Sequence, residues 1–262
     1  MIKQAPKQAK KVLVTVSNVT KRFQTSAGEM TAIKQADFVI EDGSFTVIYG
    51  RSGSGKSTLL NTIAGLELPT EGSVKYEGID VYTMNDARRA HLRGYTLGMV
   101  HQQNHWVDSL TVAENVALPL HFLGYSRSDA HEAALASLRR IKMEAFADKY
   151  PSMLSGGEQQ RIAMARATVN NPLCIIADEP TGNLDSYNGD AMIELLQYFH
   201  KELHRTIVLV THNLEYLSVG DKLLLVDDGI VTETHGNDLR NTVTELLKDM
   251  QTRIKKWQVS KA

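Results

Sequence analysis

Apolar and polar residues alternate over positions 12–19, the mark of a strand with one buried face. Residues 32–40 and 45–49 read as two further strands, and the second runs directly into a glycine-rich turn. A helix starts at that turn, continues through 59–66 and is closed by Pro69 and Gly72. From about 86 to 150 the period becomes mostly that of helices, with 112–122 and 130–141 carrying apolar residues at helical spacing beside a short strand-like run at 97–100. This stretch predicts an inserted helical lobe. Apolar strands then alternate with helices at 173–177, 191–203, 206–210 and 222–226, an order that predicts a parallel sheet covered by helices. Beyond it, 238–257 sets Val243, Leu246, Leu247, Met250, Ile254 and Trp257 on one helical stripe. Such a helix packs on its own domain or serves a dimer contact or a membrane surface.

The expected organisation is a polar, Lys-rich tail over 1–11, an α/β body over 12–235 with its helical lobe at about 86–165, and an amphipathic extension over 236–262. A composition of 42% hydrophobic and 23% charged residues is that of an ordinary globular protein, and 262 residues bury a sizeable core. The formal net charge of -1 gives no global basic footprint, so nucleic acid is not an expected partner. No apolar run reaches the length of a membrane span, and the Lys-bearing start lacks the apolar segment of a secretory signal. The expected location is therefore the cytoplasm. The single cysteine, Cys174, lies in an apolar run and reads as a small buried residue.

The glycine-rich turn carries the chemistry. Gly50, Arg51, Ser52, Gly53, Ser54, Gly55, Lys56 and Ser57 meet every fixed position of a phosphate-binding loop, between a strand and a helix as that device requires. Glycines let backbone N–H groups close around phosphate oxygens, and the helix start through Thr58 adds positive partial charge. Lys56 is placed to reach the β and γ phosphates and Ser57 to ligate Mg²⁺, so the chain is expected to bind a nucleoside triphosphate. The strand at 173–177 ends in Asp178 and Glu179, two carboxylates at the sheet edge. Asp178 is the natural Mg²⁺ partner, while Glu179, pointing elsewhere, is free to act on an attacking water. A second anion device follows from Ser155, Gly156 and Gly157, where a capping hydroxyl and two glycines open a helix.

Gly50 to Ser57, Leu154 to Gln159, Ile175 to Glu179, Asp185 and Thr211-His212 stand in an order that resembles the ATP-binding cassette (ABC) ATPases. The resemblance covers roughly 12–234 and implies a P-loop NTPase fold: a RecA-like α/β core, an antiparallel β subdomain and an inserted helical subdomain. It also implies ATP hydrolysis with Mg²⁺ held by Ser57, Gln102 and Asp178. In the same terms Glu179, His212 and Lys56 are the catalytic residues, His212 being the switch histidine at the γ phosphate. Gln102 then senses a membrane partner, Asp185 belongs to the loop joining two active sites, and Phe23 stacks on adenine. The family's geometry further implies a homodimer in which Ser155, Gly156 and Gly157 of one subunit close over ATP held by Lys56 of the other.

The run Asp178-Glu179-Pro180-Thr181-Gly182-Asn183-Leu184-Asp185, with Leu118-Pro119-Leu120 after Glu114-Asn115-Val116, is similar to the lipoprotein-release, macrolide-export and cell-division branch. That branch pairs a stand-alone ATPase with integral membrane permease subunits. The implied chain is cytoplasmic, peripheral on the inner face of the membrane, and touches it mainly through those partners. The rival readings are a soluble ABC ATPase acting on DNA or ribosomes, and a slow-turnover regulator.

Other features stay open at this level. Phe23 stands where tyrosine is more usual, keeping the π face without the hydroxyl, and a plain core phenylalanine is the rival reading. His101 precedes Gln102 where the family has an aromatic. Trp106 is either an anchor for a membrane partner's helix or a buried residue of the lobe. His200 and His204 share a helix face without an evident third ligand, which favours a solvated face over zinc. Lys3, Lys7, Lys10 and Lys11 form a solvated tail or touch anionic lipid.

Overall fold

The computed structural model describes residues 11–26 and 28–259, and of 237 and 249–259 the backbone alone. Lys3, Lys7 and Lys10 lie outside the described residues.

The chain builds two sheets. One is antiparallel and holds β1 (Val12–Thr25), β2 (Gly28–Glu41), β4 (Glu71–Tyr76) and β5 (Ile79–Asp80) in the order β2-β1-β4-β5. The other holds β3 (Phe45–Tyr49), β6 (Leu97–Val100), β7 (Cys174–Asp178), β8 (Thr206–Thr211), β9 (Lys222–Asp227) and β10 (Ile230–His235) in the order β10-β9-β3-β8-β7-β6. All its neighbours pair in parallel except the β9–β10 hairpin. β1 runs six residues past the predicted end, because Asn18 at φ 53 and the register shifts around it carry the strand through a bulge instead of ending it.

The parallel strands are apolar along their whole length because both faces are covered. On one face Ile48, Ile176, Val208, Val210, Leu224 and Val226 join Leu59, Leu60 and Ile63 of α1 (Lys56–Ile63) and the inner side of the antiparallel sheet. On the other, Val47, Ile175, Ala177, Ile207 and Leu209 meet α3 (Val112–Phe122), α4 (Arg127–Arg140), α5 (Gly156–Thr168) and α6 (Ser186–Lys201). Cys174 is buried, and burial pushes its thiol up to about 12. The remaining helices are α2 (Asp86–Thr96), which buries no side chain, and α7 (Gly236–Val259).

Within the stretch 86–165, residues 97–100 form the outermost parallel strand, paired to β7, so the helical elements α3, α4 and the start of α5 hang from the sheet after β6. Helix α7 buries Leu239 and Val243 against the main core, half-buries Leu246 and leaves Leu247 exposed. Met250, Ile254 and Trp257 of the expected stripe lie where only the backbone is described. Lys11 pairs with Glu77 at the start of β1.

This topology decides where chemistry gathers. The register pairs Val100 with Ala177, Asp178 with Val210 and Tyr49 with Thr211, so β6, β7, β8 and β3 end along one edge. The residues that follow them are His101-Gln102, Glu179, His212 and the phosphate loop. Ligands of open α/β sheets bind at such an edge.

Candidate active site

The phosphate loop is shaped by what a side chain would strike. A Cβ on Gly50 would lie 2.2 Å from the Val226 carbonyl oxygen and 2.6 Å from Ser54 Oγ. Gly55 caps α1 in the left-handed region at φ 108, and a Cβ there would lie 2.4 Å from the Ala32 carbonyl oxygen. The loop is thus wedged between β9 and β2. Gly55→Ala is expected to combine backbone strain of about 1–3 kcal/mol with a clash against backbone that cannot swing away. Melting curves with and without ATP should show a lower Tm and loss of the nucleotide-dependent rise.

Lys56 is buried, and its Nζ donates to the carbonyls of Gly50 at 2.8 Å and Arg51 at 2.9 Å. The ammonium therefore already lies across the loop mouth. Ser54 Oγ is buried without a hydrogen-bond partner among the described residues. A cavity of about 760 Å³ opens above, lined by the 52–58 turn, Gln102, Asp178, Glu179, His212 and Met30, Thr31 and Ala32 of β2, with Asp228 and Gly229. That volume suits a nucleotide.

Asp178 ends β7 with its carboxyl held above the ordinary carboxylate range, first by burial and then by the charge of Glu179, against the pull of Lys56. Glu179 takes a left-handed conformation, φ 47, fixed by its N–H donating to the Val210 carbonyl at 2.9 Å. This turn aims its carboxylate at His212, whose Nδ1 lies 2.8 Å from Glu179 Oε2. The His212 backbone N–H also donates to that oxygen at 3.3 Å. Gln102 lies beside Asn183, with Nε2 3.4 Å from Asn183 Oδ1.

The chain does not bring every expected residue to this cavity. Ser155 caps α5 in a reciprocal box with Glu158, whose carboxyl is held low chiefly by the Ser155 hydroxyl, and neither Ser155, Gly156 nor Gly157 lines the cavity. Gly157 has a packing reason to be glycine: a Cβ there would lie 2.4 Å from Asn188 Oδ1. Asp185 caps α6, its carboxylate accepting the Asn188 N–H at 2.8 Å and being held low by it. Phe23 is half-buried, with Lys21 Nζ 4.8 Å from its ring centroid, and does not line the cavity, although its cross-strand partner Met30 does.

Trp106 resolves to neither extreme. It is half-buried, its Nε1 donates to Gln159 Oε1 at 2.9 Å, and Arg166 stacks 4.4 Å above the ring. Arg166 also donates to the Asn104 and His105 carbonyls, while Gln160 donates to the His101 carbonyl at 3.0 Å, so α5 grips the segment around Gln102. Burial lowers both Arg166, to about 10, and His101. His200 packs edge-on against Phe45 with Nε2 3.7 Å from Asp221, and no group of three or more His, Cys, Asp or Glu able to hold a metal occurs among the described residues. Asp228-Gly229 was missed as part of the site, though an Asp-Gly pair between apolar runs is a hairpin signal. Asp228 pairs with Lys34 of β2 at 2.7 Å.

Known proteins resemble the chain in sequence and in fold. The sequence model of the ABC transporter family matches residues 33–182. The ABC transporter ATP-binding protein MJ0796 of Methanocaldococcus jannaschii is 40% identical over 84% of this chain and 95% of its own. LolD of Pseudoalteromonas translucida, the ATP-binding protein of a lipoprotein-releasing system, is 37% identical over 84% of this chain and 95% of its own. The macrolide export ATP-binding/permease protein MacB of Agrobacterium fabrum is 37% identical over 90% of this chain, which spans 36% of MacB. Solved dimers of the MJ0796 cassette, one in a post-hydrolysis state bound to ADP and Pi, superpose with a TM-score of 0.78 at 39% identity over 85% of this chain and 98% of theirs. With the glycine-rich loop, Asp178, Glu179 and His212 at one sheet edge, the chain belongs to the ABC transporter family, as an ATP-binding and ATP-hydrolysing cassette.

Proposed function

We propose that two copies of this chain close over two ATP molecules and thereby drive separate integral membrane permease subunits from the cytoplasmic face. The observation that carries the reading is the split site. Lys56, Glu179 and His212 line one cavity while Ser155, Gly156 and Gly157 face elsewhere, so a second copy is needed to complete the nucleotide's enclosure. The dimeric form of the MJ0796 cassette supports this arrangement.

Within that enclosure Lys56 releases the Gly50 and Arg51 carbonyls and binds the β and γ phosphates. Glu179 accepts a proton from the water whose oxygen attacks the γ phosphorus, and ADP leaves. The Glu179–His212 pair holds the base in line and places the imidazole at the γ phosphoryl oxygens. The cradle also fits a magnesium ion: Asp178 is a half-buried carboxylate beside a second negative charge, and Ser57 and Gln102 bring oxygen donors to the same cavity. When bound, that ion neutralises developing charge on the phosphoryl oxygens. Phe23, the cross-strand partner of the cavity-lining Met30, is the candidate adenine contact.

No helix among the described residues is long and apolar enough to cross a membrane, and in this reading the force passes to the permease subunits. A groove of about 510 Å³ between α2 and α3 is the candidate docking site, lined by Ala87, Ala90, Leu118, Phe122, Leu123 and Arg166. Phe122 is 86% exposed there, an unusual position for a large aromatic on a free surface. Arg166 joins this groove to the segment after Gln102, so a helix pressed into it pushes on the active-site edge. MacB and LolD relatives support a permease partner.

The test is capture from detergent-solubilised membranes with the tagged full-length chain. Wild type should retain integral membrane polypeptides, and Phe122→Asp should lose them while keeping its basal ATPase rate. Retention by Phe122→Asp would remove the groove from the docking site, and capture of RNA or DNA in place of membrane proteins would overturn the transport reading.

A further inference from the structure

The first turn of α6 touches three functional segments at once. Asp185 caps it and clamps the Asn188 side chain, whose Nδ2 donates to both Asp185 oxygens at 3.0 and 2.9 Å. Asn188 in turn fills the space beside Gly157 on α5, leaving no room for a Cβ there. One residue further, Gly189 and Asp190 meet Tyr216. The Tyr216 hydroxyl donates to Asp190 Oδ1 at 3.1 Å, and a Cβ on Gly189 would lie 2.9 Å from that hydroxyl. Tyr216 is buried in the 3-10 segment Leu214–Val219, which follows directly on His212-Asn213. Its hydroxyl is pushed up to about 12, first by burial and then by Asp190, so it remains a donor at any physiological pH.

We propose that this turn is a coupling element, with Tyr216 and Asp190 as positioning residues that hold His212 in register with the 155–157 segment. The inference rests on the reading above, in which 155–157 closes on the partner's nucleotide while His212 serves the chain's own. Movement of the α5 start then reaches Asn188 through Gly157, turns the first turn of α6, and displaces Tyr216 and the segment carrying His212. Each half-site thereby reports its engagement to the other site's histidine within one chain. None of Tyr216, Asp190, Gly189 or Asn188 lines the nucleotide cavity, so they act through His212 rather than on ATP.

Steady-state ATPase of the full-length chain, with kcat and KM resolved, tests the proposal. Loss of one neutral-to-charged hydrogen bond predicts a fall in kcat of about tenfold to a hundredfold for Tyr216→Phe and Asp190→Ala, with KM for ATP unchanged. The double variant should be no slower than either single one, and Asp190→Asn, which keeps an acceptor, should restore the wild-type rate. Gly189→Ala should lower kcat by pushing the hydroxyl off Asp190 while holding or raising Tm, since alanine favours the helix. Wild-type kcat in Tyr216→Phe and Asp190→Ala, or losses that simply add, would overturn the coupling. His212→Ala separates the two levels: if it is inactive while Tyr216→Phe keeps the wild-type kcat, the coupling alone fails, and if His212→Ala keeps full turnover, the reading of the site fails beneath it.

Discussion

Glu179→Gln is expected to bind ATP with wild-type affinity, hydrolyse it about 10²–10⁴-fold more slowly, and accumulate as an ATP-loaded dimer. The geometry makes the substitution unusually clean. Glutamine keeps an acceptor oxygen for the His212 Nδ1 contact and keeps the backbone N–H that holds the left-handed turn to Val210. It fills the same space and adds no strain beyond that already present at φ 47. What it loses is basicity, and with it the acceptor for the water's proton. Removing one negative charge also relieves Asp178, whose carboxyl is held high partly by Glu179, so the phosphate and metal side of the cavity is not weakened. Closure driven by ATP then persists because the reaction that reopens the dimer does not run. Phosphate release and light scattering with ATP measure the two halves of the prediction. A variant that turns over at the normal rate would take Glu179 out of the base's role.

The parts of this site legible in the sequence are those whose chemistry is local. The phosphate loop and Asp178-Glu179 stand at the ends of apolar strands, so strand ends and side-chain types suffice to place them together, whereas His212 is identified only through the resemblance to the family. The rest depends on packing between distant segments. β4, with the sequence EGSVKY, buries only Val74 and Tyr76 and reads as polar loop until β1 is beside it. Asn18 and Glu179 adopt φ values that a single sequence does not announce, the first at a bulge of β1 and the second at the sheet edge beside His212. The wedge of Gly55 under Ala32, and of Gly157 against Asn188, are contacts between segments more than twenty residues apart. Trp106 shows the same limit: its indole pattern fitted both a docking anchor and a buried residue, and only the Gln159 and Arg166 contacts decide that it ties the Gln102 segment to α5.

Lys56→Ala is expected to weaken ATP binding about 30-fold to 1,000-fold while leaving the fold intact. In the free chain the ammonium is satisfied by two carbonyls, so ATP must displace those bonds before gaining charge-assisted ones to phosphate. The net gain is about 2–4 kcal/mol, less than the sum of two such bonds to an anion. Stability responds much less. The Gly50 and Arg51 carbonyls lose one donor at a cavity wall, worth about 1–2 kcal/mol, and alanine is a favourable residue for the first turn of α1. Calorimetric titration of ATP and a thermal melt without nucleotide therefore separate the two effects. Affinity should fall steeply with little change in Tm. An unchanged dissociation constant would mean that the ammonium stays on its two carbonyls in the bound state, making Lys56 a brace of the loop instead of its phosphate contact.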